Sequence, residues 1–93
     1  VTRWRLLPRA RADIDDIWDY TAREYGAEQA EAYLRAIEDA INARERAQSC
    51  DHIRPGYWRI KAGSHVIFFR REGGEVIVVR ILHERMDFAG RLA

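Results

Sequence analysis

Tyr57 to His83 reads YWRIKAGSHVIFFRREGGEVIVVRILH, and through this stretch the hydrophobic pattern repeats every second residue. Two glycine pairs punctuate it. Gly63-Ser64 places glycine first, as a type II′ hairpin turn requires, and Gly73-Gly74 supplies a second tight turn. Three strands are therefore predicted, Tyr57 to Ala62, His65 to Arg71 and Glu75 to His83, running as an antiparallel meander. In the last strand Ile77, Val79 and Ile81 have one parity and Val76, Val78, Arg80 and Leu82 the other. Both sets are apolar, so both faces of this strand should be covered.

Upstream the period changes. Ile14, Ile17, Trp18, Thr21 and Tyr25 recur at three- and four-residue spacing, with Asp13, Asp15, Asp16 and Asp19 mostly opposite them. The early aspartates are expected to complement the positive end of the helix dipole, and Gly26 to end the helix in a left-handed conformation. Ala30, Tyr33, Leu34, Ile37 and Ile41 form a second apolar stripe. One glycine between two helices implies a tight antiparallel helical hairpin. Gln48 to Gly56 reads as a connection closed by the turn pair Pro55-Gly56. At the start, Trp4 and Leu6 alternate with Arg5 up to Pro8, which predicts a strand over roughly residues 2–7.

The predicted order is strand, helix, helix, strand, strand, strand: an α+β fold with the hairpin on one face of a small, mainly antiparallel sheet. Whether the first strand lies at an edge or inserts is open at this level. The hairpin can cover only one sheet face. A second apolar face left open would call for a partner, and Arg80 lies on one face of this strand beside three aliphatics.

With 93 residues and no linker or repeat, residues 1–93 read as one domain; 47% hydrophobic and 33% charged residues describe a globular chain. No apolar run reaches the length of a membrane span and no signal-peptide pattern is present. A lone cysteine, Cys50, makes no internal disulfide, which favours a cytoplasmic location. The net charge of +1 conceals segregation: residues 1–11 carry four arginines and no acid, residues 12–51 four basic and eleven acidic groups, residues 52–93 eight basic and four acidic. An acidic helical side and a basic sheet follow. Such a sheet attracts nucleic acid or an acidic protein segment.

For chemistry, a ribonuclease would need convergent cations and a general acid or base; Arg59, Lys61, Arg80, His83, Arg85 and Tyr57 are the candidates, with Arg59, Arg80 and His83 the set placed near the phosphate. Alternation places Arg80 and His83 on different parities, so no catalytic cluster is expected. A histidine at the end of a buried strand more often holds structure. Arg80 among aliphatics needs a counter-charge, from an internal acid such as Asp87 or, the favoured reading, from a partner. Cys50-Asp51-His52 supplies at most half a metal site, and neither metal nor cofactor is expected. Trp4 and Trp18 occupy core-like positions. Trp58 shares parity with Ile60, with core as the default and a partner contact as the alternative.

The segments LLPRARADIDDIWDYTAREYG, AEQAEAYLRAI and CDHIRPGYWRIKAGSHVIFFRREGGEVIVVRILHERMD resemble the ParE branch of the RelE/ParE toxin superfamily of bacterial toxin–antitoxin modules. The likeness spans nearly the whole chain and is most specific in its C-terminal part; Trp58 departs from it, standing where an arginine is usual. The resemblance implies the same strand–helix–helix–three-strand fold, and a cytoplasmic, non-enzymatic toxin that poisons DNA gyrase. It further implies neutralisation by a ParD-like antitoxin lying along the sheet and helical hairpin, with no membrane partner and no sequence-specific nucleic-acid binding. The RelE branch, which cuts messenger RNA on the ribosome, is the alternative. The expected antitoxin contacts are Val78, Arg80, Leu82 and Trp58. Because the C-terminal end of ParE-like toxins is implicated in toxicity, Arg85, Met86, Asp87 and Phe88 become candidates for gyrase contact, with Phe88 to Ala93 as a short tail.

Overall fold

A computed structural model describes residues 3–92. The first strand, β1 (Arg3–Leu6), leads into helix α1 (Pro8–Tyr25) and helix α2 (Ala27–Asn42). A 3₁₀ turn (Arg44–Arg46) and a two-residue strand β2 (Gln48–Ser49) precede the meander β3 (Trp58–Ala62), β4 (His65–Glu72) and β5 (Glu75–His83). A short helix, α3 (Phe88–Leu92), closes the described chain. The sheet order is β1-β5-β4-β3-β2, with β1 parallel to β5 at one edge and the other pairings antiparallel. Of the expected first strand, Thr2 lies outside the described residues.

Local chemistry sets the boundaries. Proline suits the first helical position, where its missing N–H would be unpaired anyway, and α1 opens at Pro8. That start is earlier than the aspartates imply: its first turn contains no acid, and Asp13 falls beyond the region where the dipole acts. Gly26 joins the helices with φ +95° and ψ 162°, outside the expected left-handed helical basin but in a region that a side chain would strain. Gly63 has φ +58° and Gly73 and Gly74 have φ +55° and +78°, as the two hairpin turns demand.

The main core lies between helices and sheet. Ala10 and Ile17 from α1, and Ile37 and Ile41 from α2, pack on Ala62, Ile67, Phe69, Val76, Val78 and Ile81. Full burial of each large apolar side chain is worth about 1.5–3 kcal/mol against leaving it exposed. Trp4, Leu6, Tyr33 and Trp58 close the periphery. Tyr25, read as part of the apolar stripe of α1, instead stands 67% exposed.

The meander holds one irregularity with a large effect. Phe69 pairs with Val78 and Phe68 with Arg80, so Val79 is an extra residue in β5. A bulge of this kind reverses the alternation beyond it. Val76 and Val78 face the helices before the bulge, and Ile81 faces them after it, while Leu82 turns to the far face. The strict parity expected from sequence therefore fails at Val79.

The far face is not left open, as expected, but is covered by the chain itself. Cys50, Val66, Phe68, Leu82 and Leu92 form a second buried cluster, with Ile53, Tyr57 and Phe88 against it. Its cover comes from two segments. The connection folds over the sheet through backbone bonds from Cys50 N to Tyr57 O (2.9 Å) and Ile53 N to Cys50 O (2.9 Å), and Gly56 N donates to Asp51 Oδ1 at 2.8 Å. The expected tail is helix α3, whose Phe88 ring meets Phe68 edge-to-face at 4.9 Å and whose Leu92 is buried.

Candidate functional site

A groove of about 910 Å³ lies between the helical hairpin and the ends of β4 and β5. Three elements build it. Ile17, Tyr20, Thr21 and Tyr25 come from α1, Tyr33 and Ala36 from α2, and Ser64, His65, Ile81 and His83 from the sheet, with Met86 just beyond β5. Tyr20, Tyr25 and Met86 are 56%, 67% and 40% exposed, and they are the large hydrophobic side chains most open to solvent among the described residues. Exposed apolar groups around one groove mark an interaction surface.

At one end of the groove a polar cluster fixes helix to hairpin. The Tyr33 hydroxyl lies 2.6 Å from His65 Nδ1, accepts from Ser64 N at 3.1 Å, and reaches Ala62 O and Ser64 Oγ at 3.3 Å. Gly63 makes this approach possible: a Cβ there would stand 2.6 Å from the Tyr33 ring. His65 stacks edge-to-face with Tyr33 at 5.5 Å and with His83, its cross-strand neighbour, at 5.4 Å. Burial, and next the adjacent His83, hold the His65 pKa below its ordinary value, against weaker opposing effects of Asp13 and Glu84. His83 Nδ1 accepts from Arg85 N at 3.2 Å.

Beside the groove, Asp13 joins α1 to β5. Its carboxylate accepts from Arg80 Nε (2.8 Å), Arg80 Nη2 (2.8 Å) and the backbone N–H of Ile81 (2.9 Å). The site follows from topology. The last contact of the first strand segment with β5 is Leu7 N to Val78 O (3.0 Å); beyond the bulge the edge of β5 has no strand beside it, and Asp13 reaches it there. The bond to Asp13 raises the Arg80 pKa further above its ordinary value.

The candidate ribonuclease residues do not converge. Arg59 and Arg80 lie on either side of Phe68 across the sheet, on the far face, whereas His83 faces the helices and Arg80 is bound to Asp13.

The ParE toxin model of the parDE type II toxin–antitoxin system matches residues 4–88. The chain belongs to the ParE toxin family. Toxin ParE1 of Mycobacterium tuberculosis is 47% identical over 91 residues, covering 92% of this chain and 93% of that toxin. Toxin ParE1 of Caulobacter vibrioides is 39% identical over 93 residues, covering 96% of each, and Toxin ParE of Escherichia coli is 36% identical over 99 residues, covering 100% of this chain and 95% of that one. A solved chain from the chromosomal ParDE TA system of P. aeruginosa superposes with a TM-score of 0.69 at 22% identity, covering 88% of this chain and 95% of that chain, and shows the same fold.

Within this ParE fold, the residues singled out from sequence have separate fates. Val78 and Leu82 are fully buried, Val78 beneath the helices and Leu82 beneath α3, so the free toxin offers neither as surface. Arg80 finds its acid inside the chain, and that acid is Asp13 rather than Asp87 or a partner group. Trp58 is half-buried against the main core, with the Arg71 guanidinium 4.3 Å from its ring centroid. Arg85, Met86 and Asp87 are exposed, but Phe88 is half-buried against Phe68 and serves the second core. Tyr20, Tyr33 and His65 were not read as groove residues. The one available signal was the pairing of a tyrosine on the apolar stripe of α2 with a glycine-led hairpin turn.

Proposed function

We propose that this chain is the toxin of a ParDE-like module, acting by binding and inhibiting DNA gyrase in the cytoplasm, and held inactive by a cognate ParD-like antitoxin. Membership of the ParE family carries the reading. The groove between the helical hairpin and the sheet supports the antitoxin reading: Tyr20, Tyr25 and Met86 are exposed apolar groups around it, of the kind that anchor an amphipathic segment. Met86 and its neighbours Arg85 and Asp87 are our candidates for gyrase contact. A segment seated in the groove would cover Met86 and so mask part of that surface. No helix among the described residues is long and apolar enough to cross a membrane.

The test is gyrase supercoiling and DNA cleavage with the purified chain, beside ribosome-programmed messenger RNA cleavage. Gyrase-dependent cleaved DNA with intact RNA is the expected result; unaffected gyrase at every stoichiometry overturns it. For the antitoxin, Tyr20→Ala and Met86→Ala should each weaken binding by about tenfold or more, the loss of roughly 1.4 kcal/mol or more at an interface anchor. Unchanged affinity in both would remove the groove from consideration.

A further inference from the structure

Where the chain turns from β1 into α1, beside the far face of the sheet, a smaller pocket of about 360 Å³ is lined by five arginines, Arg9, Arg54, Arg70, Arg80 and Arg91, together with Tyr57. Two of the five have a carboxylate: Arg80 is bound by Asp13 and Arg70 by Glu72. Arg9, Arg54 and Arg91 are exposed and have no ion pair among the described residues. The mouth therefore retains about three positive charges. A monomer gains nothing from placing these together, because like charges in one pocket repel.

Further features strengthen the reading. Arg9 and Arg11 occupy the first turn of α1, which has neither an acid nor a capping side chain. Cations at that end add to the positive end of the helix dipole instead of relieving it. Several of the pocket's groups are also held in place: Arg80 Nη1 donates to Arg91 O at 3.4 Å, and the Arg54 guanidinium lies 5.6 Å from the Tyr57 ring centroid. An array of arginines around a shallow pocket suits phosphate oxygens. Tyr57 is half-buried against the second core and has the Arg54 guanidinium near its ring, which favours backbone contact over base stacking here.

We propose that this pocket holds the phosphodiester backbone of duplex DNA without reading its sequence. The phosphate chemistry rests on the pocket; that the polymer is DNA rests on the gyrase reading above, in which the toxin acts at an enzyme holding DNA. Contact with that DNA is an added role for this arginine-lined surface, which shares no residue with the groove.

The experiment measures binding of the full chain, without gyrase, to a fluorescent DNA duplex across a potassium chloride series. The comparison variant is Arg9→Gln/Arg54→Gln/Arg91→Gln, with Arg23→Gln/Arg35→Gln as a charge control on the helical hairpin and circular dichroism as a check on folding. Wild type should bind with a steep salt dependence, and the triple variant should lose about three units of the slope of log K against log salt, about one for each phosphate contact. The control should keep the wild-type slope. Absence of binding, or equal slopes in wild type and triple variant, overturns the proposal. So does a preference for an RNA hairpin of equal charge, or equal competition by polyglutamate, which would assign the pocket to RNA or to an acidic protein segment. Gyrase inhibition is scored separately, so either reading can fail while the other stands.

Discussion

Replacing Arg80 by alanine tests whether this residue serves the fold or a partner. The Arg80 and Asp13 side chains are only 11% and 13% exposed, and two parallel bonds of 2.8 Å join their charged groups. Asp13 also satisfies Ile81 N. Removing one member of a buried pair typically costs about 3–5 kcal/mol, because the other charge is left without compensation. The slight exposure of both groups places Arg80→Ala near the lower end, about 3 kcal/mol. For a chain of this size that shifts the melting temperature by roughly 12–24 °C.

Urea denaturation of wild type, Asp13→Ala, Arg80→Ala and the double variant gives the assay. The double variant should be less destabilised than the sum of the singles, with a coupling of about 1–3 kcal/mol. Its residual loss includes the unpaired Ile81 N–H, worth about 1–3 kcal/mol. Had Arg80 been kept for an antitoxin acid, its removal would leave stability unchanged and weaken only the complex. A loss under about 0.5 kcal/mol, the size expected of an ordinary surface substitution, together with additive singles, would refute the internal-pair assignment.

Gly63→Ala should destabilise by about 1–3 kcal/mol, since it combines a positive φ with a Cβ forced onto the Tyr33 ring; thermal unfolding checks this, and Tyr33→Phe in the same background should recover little because the ring remains. Leu92→Ala should cost about 2–3 kcal/mol, near the lower end for a buried leucine, although it lies next to the last residue; a neutral result in denaturant would show that α3 does not belong to the core. Stability should also depend on pH through His65. Its folded pKa is depressed, mainly by burial, so the stabilising contribution of the neutral ring is complete above the unfolded value of about 6.5 and is lost as pH falls from there toward the folded value. His65→Gln should flatten that dependence in equilibrium unfolding followed between pH 7.5 and 5, and His83, Asp13 and Glu84 are the titratable neighbours that would modulate it.

The fold class was legible because alternation, glycine turns and helical spacing are local properties, and each is strong between Ile14 and His83. The two hairpin turns show this: glycine-first pairs demanded positive φ, and both have it. What was not legible depends on a single inserted residue. Val79 bulges next to the point where β1 leaves the edge of β5 at Leu7; Pro8 marks the end of β1 in the sequence, but nothing local marks the extra residue in β5. Strict alternation misplaced Ile81, and with it the relation of Arg80 to Asp13, sixty-seven residues apart. The apolar excess of β5 was read correctly as a sign that both faces are covered. Its cover was assigned to a partner because Ile53, Phe88 and Leu92 are isolated hydrophobic residues without periodicity. The groove was harder still, since it is formed by exposed tyrosines and a histidine that share no spacing.

These corrections change how the C-terminal segment should be interpreted. Phe88 and Leu92 complete the second core, whereas Arg85, Met86 and Asp87 are exposed at the end of β5. Deletion from Phe88 onward would therefore uncover Phe68 and Leu82, two fully buried side chains, and its effect on toxicity would mix unfolding with loss of contact. Substitution at Arg85 or Met86, both exposed and outside the second core, leaves that core in place. Surface positions of this kind usually change stability by no more than about 0.5 kcal/mol, so a loss of gyrase inhibition in Arg85→Ala or Met86→Ala at unchanged melting temperature would belong to the contact itself. If only the deletion abolishes inhibition while both substitutions are silent, the C-terminal end acts by holding the fold together, and the gyrase surface lies elsewhere.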